Sequence, residues 1–267
     1  MGATAPFLIK GYNKENMADT TRLGNQDLVN IARQQFENKQ RSKLPSSIVK
    51  LASGGKIYPK TSPLQSGQIE MRYMTAYDED ILTNSSYIRD GIVFDKLLES
   101  IILTPINISE ICSVDKDGII LSARIMAYGP EYEVQIADPK TKNMLTRTVN
   151  LSEIQFKPFT LQPDLNGEFS YQVNAETAIK FAYPTTEITQ DTVSQTINNL
   201  ITEVNGNRDR AAIENFIRYE FFARDAKQFR TYVKQNAPGV DYEINFEGED
   251  GSTFKSTFPI GSDLFWF

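Results

Sequence analysis

Three consecutive carboxylates, Asp78-Glu79-Asp80, are the first residues in this sequence whose types could do chemistry. Carboxylates can share a Mg²⁺ or act as an acid/base pair. On a helix, however, successive positions point about 100° apart, so three in a row do not converge on one site. Thr75 stands three residues ahead of Asp78 in the manner of a capping box, and a first helical turn favours negative charge. The triplet therefore reads as the start of a helix. Glu131 and Glu133 share one strand face, which a hairpin face turned to water explains equally well. Gly54-Gly55 lacks the Lys-Ser or Lys-Thr spacing of a phosphate loop. The chain has no histidine and one cysteine, Cys112. It therefore has no internal disulfide, no cysteine-built metal site and none of the usual imidazole general bases.

The elements around these residues follow from hydrophobic period and turn chemistry. Ile69 to Met74 alternates as a strand. Apolar helical runs follow at Ile81-Leu82, Phe94 to Leu103 and Ile119 to Tyr128, with Gly129-Pro130 as the stop. Glu131 to Ala137 and Leu145 to Leu151 flank a turn at 138–143 and read as a hairpin. Phe156 to Leu161, Gly167 to Asn174 and Thr177 to Ala182 continue as strands. Ile188, Val193, Ile197, Leu200, Ile201 and Val204 then form the stripe of one helix that ends at Gly206. Ala212 to Phe222 gives a second helix, and Asp225 caps a third that Pro238-Gly239 closes. Asp241 to Phe246 and Thr253 to Ile260 make a further hairpin. The order of helices, Gly/Pro break and hairpin thus occurs twice.

A length of 267 residues, 40% apolar and 23% charged, is ordinary for a globular chain. No apolar run is long enough to span a membrane, and the N-terminus lacks the apolar core of a signal peptide. Synthesis and retention in a cytoplasm are expected. The net charge of −6 argues against a dedicated nucleic-acid binder. Residues 1–60 hold ten basic and four acidic residues, a net +6, which leaves −12 on the rest. A basic arm on an acidic body is the arrangement this implies. Residues 1–24 have no clear period and read as an arm that orders against something else. Between Asn25 and Lys43, Leu28, Ile31 and Phe36 define a narrow helical stripe, either a surface helix of its own domain or one that docks on a partner.

Several passages resemble the baseplate hub assembly family of T4-like contractile-tailed phages. They are RYMTAYDEDILT at 72–83, the FDKLLESIIL helix, the DGIILSARIMAYGPEYEVQI helix-to-strand passage, LPS at 44–46, YP at 58–59 and the closing FPIGSDLFWF. The resemblance runs from about residue 44 onward. It implies a non-enzymatic structural or assembly protein at or near the central hub of a tail baseplate, made in the host bacterial cytoplasm and carried in the virion. Its partners would be other tail or baseplate proteins, hub or tail-tube proteins among them, with no cofactor. Relatives carry Cys pairs in such hairpins, suggesting zinc knuckles; the tips here, ADPKTKN and FEGEDGS, have neither Cys nor His, so no such site is expected.

The fold class expected is α+β, a helical core with two antiparallel β parts and an extended N-terminal arm. The expected parts are an arm with one amphipathic helix (1–67), a strand-plus-helices core (68–129), an antiparallel β subdomain (130–183), and a helical segment ending in a hairpin and aromatic tail (184–267). Two alternatives to the structural role stand: a transient assembly chaperone absent from the virion, and a carboxylate-dependent cell-wall hydrolase, which needs two carboxylates facing across a cleft. The residues expected to contact a partner are Leu28, Ile31 and Phe36 on the stripe, and Leu264, Phe265, Trp266 and Phe267 in the tail. The tail either tucks into the chain's own core or anchors in a partner's pocket.

Overall fold

The structure is a computed structural model of the chain and describes residues 29–30, 43–185, 192–257 and 262–265. The chain divides into two units, Met1–Leu44 and Pro45–Phe267. Of the first, Val29 and Asn30 are described as helical. The arm at 1–24 and the stripe residues Leu28, Ile31 and Phe36 lie outside the described residues, as do Ile188, Trp266 and Phe267. The second unit is α+β, with helices interleaved among small antiparallel sheets.

Its first sheet pairs β1 (Ser46–Lys50) with β2 (Gln68–Arg72). The intervening segment turns tightly at Gly55, where φ is +80° and a Cβ would collide with the backbone of Gln65 and Gly67. That explains the glycine pair as a packing turn. Beyond β2, α1 (Ala76–Leu82) begins as the sequence implies: the Asp78 carboxylate accepts from the Thr75 N–H at 2.7 Å. A short helix not foreseen, α2 (Ser85–Arg89), follows because Asn84 Oδ1 accepts from the N–H groups of Ser86 and Tyr87. Then α3 (Val93–Ile101) buries Val93, Leu97, Leu98 and Ile101 on one face. The longest helix among the described residues, α4 (Ser113–Tyr128), starts six residues before the apolar run at Ile119. Its polar first turn hides it from periodicity, and Asp115 there is wholly buried.

The next hairpin, β3 (Glu131–Ala137) with β4 (Met144–Asn150), falls where alternation puts it. The range 130–183 does not hold a single sheet, however. Phe156 to Leu161 is irregular, with one bridge from Phe156 to Val240. A separate three-stranded sheet has the order β5 (Phe169–Gln172), β6 (Ala178–Phe181), β7 (Ile201–Val204). The helix expected to run to Gly206 therefore ends earlier: α5 covers Val193–Leu200, and the next four residues are β7. Ile201, Thr202 and Val204 are β-branched and suit a strand, and Ile201 pairs with Phe181. Next come α6 (Arg210–Tyr219) and α7 (Ala223–Gln235), the latter preceded by Phe222 rather than capped by Asp225, which lies in its first turn. Phe229 of α7 packs 5.5 Å from Phe181, and Tyr232 packs 4.9 Å from Tyr171, so α7 covers the sheet through aromatic contacts. The chain then pairs β8 (Glu243–Glu247) with β9 (Thr253–Thr257).

Candidate interaction surfaces and the network behind them

Residues 262–265 form a short 3₁₀ turn, and Leu264 and Phe265 are inside the chain's own core. Phe265 lies 6.2 Å from Phe94 of α3 and 6.5 Å, edge-on, from Tyr128 of α4. The seat of Leu264 and Phe265 is therefore the chain's own helical core, one of the two places the sequence left open for the tail. What holds it is Arg124, a residue that periodicity assigns no role. Its side chain is 0% exposed in the middle of α4. Its Nε donates to the Leu264 carbonyl at 2.8 Å, and its Nη atoms donate to the carbonyls of Gly129 (2.9 Å) and Glu131 (3.4 Å). The rings of Tyr128 and Tyr132 flank the guanidinium at 5.0 and 5.6 Å. Burial pulls the Arg124 pKa down, yet a guanidinium remains charged. One buried cation thus ties together the end of α4, the start of β3 and the 262–265 turn. The available signal was an arginine inside the apolar run IILSARIMAY.

The two hairpins lock at their tips. Asp138, buried at the end of β3, accepts from the N–H groups of Lys140 (2.7 Å) and Thr141 (3.1 Å) in its own turn and from that of Glu249 (3.1 Å) across the gap. The Glu249 N–H first, then those of Thr141 and Lys140, hold its carboxyl below the usual range. Gly248 makes the approach possible: a Cβ there would stand 2.9 Å from Asp138 Oδ2. Lys140 Nζ pairs with Asp250 at 2.7 Å, Asn143 donates to Glu249, and Arg147 donates to the Glu247 carbonyl. A carboxylate and backbone amides join tips that metal-binding knuckles would join through thiolates. Among the described residues no group of three or more His, Cys, Asp or Glu could hold a metal ion.

The acidic triplet disperses, as helix geometry requires. Asp78 is buried in a two-pronged pair with Arg72, both contacts 2.8 Å, and accepts from Ser100 Oγ at 2.6 Å. Burial pushes the Asp78 carboxyl up, but the hydrogen bonds from Arg72 and Ser100 outweigh it and hold the group below the usual range. Glu79 accepts from the Tyr128 hydroxyl at 2.8 Å, and Asp80 is exposed. Glu131 and Glu133 are exposed on β3.

Asp115 is the carboxylate that sequence reasoning missed. It accepts from Ser53 N–H and Oγ, each at 2.7 Å, and from the Tyr58 hydroxyl at 2.8 Å. Burial raises its pKa, offset only in part by these donors. The Tyr58 oxygen in turn accepts from Cys112 N–H. Burial first, then the neighbouring Asp115 charge, pushes the Cys112 thiol up to about 12, far from a reactive thiolate.

A cleft of about 380 Å³ between β4 and β8 contains the carboxylates of Glu153, Asp241 and Glu243. Each has structural work: Glu153 accepts from Asn150, Asp241 from the Glu243 N–H, and Glu243 from Lys255. All three carboxylates are thereby engaged within the chain. The prominent exposed apolar groups lie elsewhere, with Tyr219 and Phe222 at 69% and 71% exposure where α6 meets α7. No helix among the described residues is long and apolar enough to cross a membrane.

No curated protein and no solved structure matches the chain. Residues 45–257, which include both interlocked hairpins, match the family described as T4 bacteriophage base plate protein, and the chain belongs to that family of phage baseplate proteins.

Proposed function

We propose that this baseplate protein is a non-enzymatic structural component of a contractile phage tail, at or near the central hub, acting through contacts with other tail proteins. The family match across residues 45–257 carries the reading. The use of its buried ionisable groups agrees with it: Asp78, Asp115, Asp138 and Arg124 are all tied to internal structure. Partner contact then falls to surface groups. Phe265 is anchored in the core, so Trp266 and Phe267 continue from a fixed point and supply the aromatic contact. Leu264 and Phe265 act as its base. Leu28, Ile31 and Phe36 supply a second contact on a helical stripe.

Mass spectrometry of purified particles, before and after mild dissociation into central and peripheral baseplate parts, tests this. The chain should be present in the particle and should follow the central part. Absence from the particle would make it a transient assembly factor; recovery with the peripheral part would refute the hub position.

A further inference from the structure

We propose that the cleft between β4 and β8 accepts an extended, basic segment of a different baseplate protein, which adds as a strand between the two hairpins. The proposal rests on the baseplate role given above. Because the hairpins lock at their tips, β4 runs from tip to base and β8 from base to tip, antiparallel across the cleft. Their ladders fix which backbone groups face it. Asp138 N–H donates to the Asn143 carbonyl and Leu151 N–H to that of Pro130. Leu145, Arg147 and Val149 therefore turn their backbone groups toward β3, and Thr146, Thr148 and Asn150 turn theirs away. Gly248 N–H donates to the Ser252 carbonyl, so Ile244 and Phe246 pair toward β9 while Glu243, Asn245 and Glu247 point away.

These two outward edges are joined at the ends of the cleft. At the base, Asp241 N–H donates to the Gln155 carbonyl at 2.8 Å. Toward the tips, the Arg147 guanidinium stands between the edges. Its Nη1 donates to the Thr146 carbonyl at 3.0 Å, and its Nε and Nη2 donate to the Glu247 carbonyl at 3.1 and 2.9 Å. A side-chain donor thus takes the place that a further strand would occupy. Between these ends the backbone groups of Thr148, Asn150 and Asn245 have no partner among the described residues, and the cleft of about 380 Å³ lies there. Unpaired strand edges are what an extended peptide completes.

Side chains and charge select the segment. The cleft has an apolar inner wall, with Val149 and Phe246 buried and Ile154 and Ile244 half-buried. Its rim holds Glu153, Asp241 and Glu243, each of which accepts through one oxygen and leaves the other without a partner among the described residues. Glu131 and Glu133 stand exposed opposite Asn150 and Thr148. Residues 131–155 and 241–257 hold nine acidic and four basic residues, a net −5 in a chain of net −6. Of the four, Lys140 and Lys255 pair with Asp250 and Glu243, Arg147 bridges the edges, and Lys142 lies in the tip turn. An added strand points alternate side chains at the wall and at the rim. The complementary segment therefore alternates apolar residues with Lys or Arg. The hairpins of a second copy of this chain would oppose like charge.

The test places photo-activatable p-benzoylphenylalanine at Gln155, which lines the cleft outside both strands, in the full chain in phage-infected cells. Irradiation should link it to a stretch of another baseplate protein that alternates basic and apolar residues. Thr148→Pro and Asn245→Pro each remove an N–H that faces the cleft and leave the ladders to β3 and β9 intact. Each should lower the cross-link about tenfold at an unchanged melting temperature. Hydrogen exchange needs no variant: the Thr148, Asn150 and Asn245 amides should exchange about tenfold or more slowly in assembled particles than in the free chain. A cross-link to a second copy or to a stretch without basic residues would overturn the proposal and leave the baseplate role standing. So would equal exchange of these amides in both states, a cross-link that folded proline variants leave unchanged, or none in particles that contain the chain. Absence of the wild-type chain from particles and assembly intermediates alike would overturn both.

Discussion

Replacing Arg124 by Met should destabilise the fold severely. Methionine fills much of the arginine volume, so the cavity term is small and the loss is polar. The carbonyls of Leu264, Gly129 and Glu131 lose their donor together. An unsatisfied buried acceptor costs about 1–3 kcal/mol. The Leu264 carbonyl is in a buried contact and bears that cost in full; the other two contacts are partly buried, and water can replace some of what is lost. Removing a buried cation returns part of its desolvation penalty. The net expectation is a loss of about 3 kcal/mol. Arg124→Lys should recover little of it, because one ammonium cannot reproduce a planar fork directed at three carbonyls. Urea unfolding monitored by circular dichroism measures this as a lower midpoint at unchanged slope. Proteolysis should also release the 262–265 segment early. A loss below about 0.5 kcal/mol, the range of an ordinary surface substitution, would refute the clamp.

Asp138→Ala should uncouple the hairpin tips: hydrogen exchange at the Glu249, Thr141 and Lys140 amides should accelerate together, and unchanged protection at Glu249 would count against the lock. Acid should destabilise the protein through Asp78, Asp164 and Glu168. Burial opposes the hydrogen bonds at Asp78 and Asp164, and the Arg208 hydrogen bond leads at Glu168, but all three folded pKa values lie below the unfolded ones. Their contribution is therefore present above about pH 4 and is lost as pH falls through the folded values. Asp115 has the opposite sign. Its raised folded pKa makes its contribution largest at low pH and smaller as pH rises past that of an unfolded carboxyl. Asp78→Asn should consequently flatten the acid limb of a stability–pH curve, whereas Asp115→Asn should not. Deleting residues 264–267 should destabilise the body by removing buried Leu264 and Phe265, while deleting 266–267 alone should leave the melting temperature intact and weaken assembly.

Local rules made much of this fold legible. The β3–β4 hairpin and the start of α1 could be read because alternation and the Thr75–Asp78 pair act within a few residues. The boundary between α5 and β7 could not. Ile197, Leu200, Ile201 and Val204 keep a helical spacing, and pairing with β6, about twenty residues earlier, decides in favour of a strand. The polar groups that organise the core were equally hidden. Asp115 finds Ser53, Asp138 finds Glu249 and Arg124 finds Leu264, partners 62, 111 and 140 residues away. No window along the sequence contains both halves of such a pair. An isolated charge inside an apolar run was the sole visible trace of Arg124.

The clamp also sets an order of events during synthesis. When Arg124 leaves the ribosome, the carbonyl it will hold is 140 residues behind it. At about 5–20 residues per second, that leaves roughly 7–30 s in which the nascent chain contains α4 without the turn that completes its surroundings. Closing the core in that interval would bury a guanidinium short of one of its acceptors, so the charge opposes premature collapse around α4. A stalled nascent chain lacking residues 262–265 should therefore remain open to protease within α4, and protection there as strong as in the finished protein would show that the core closes without waiting.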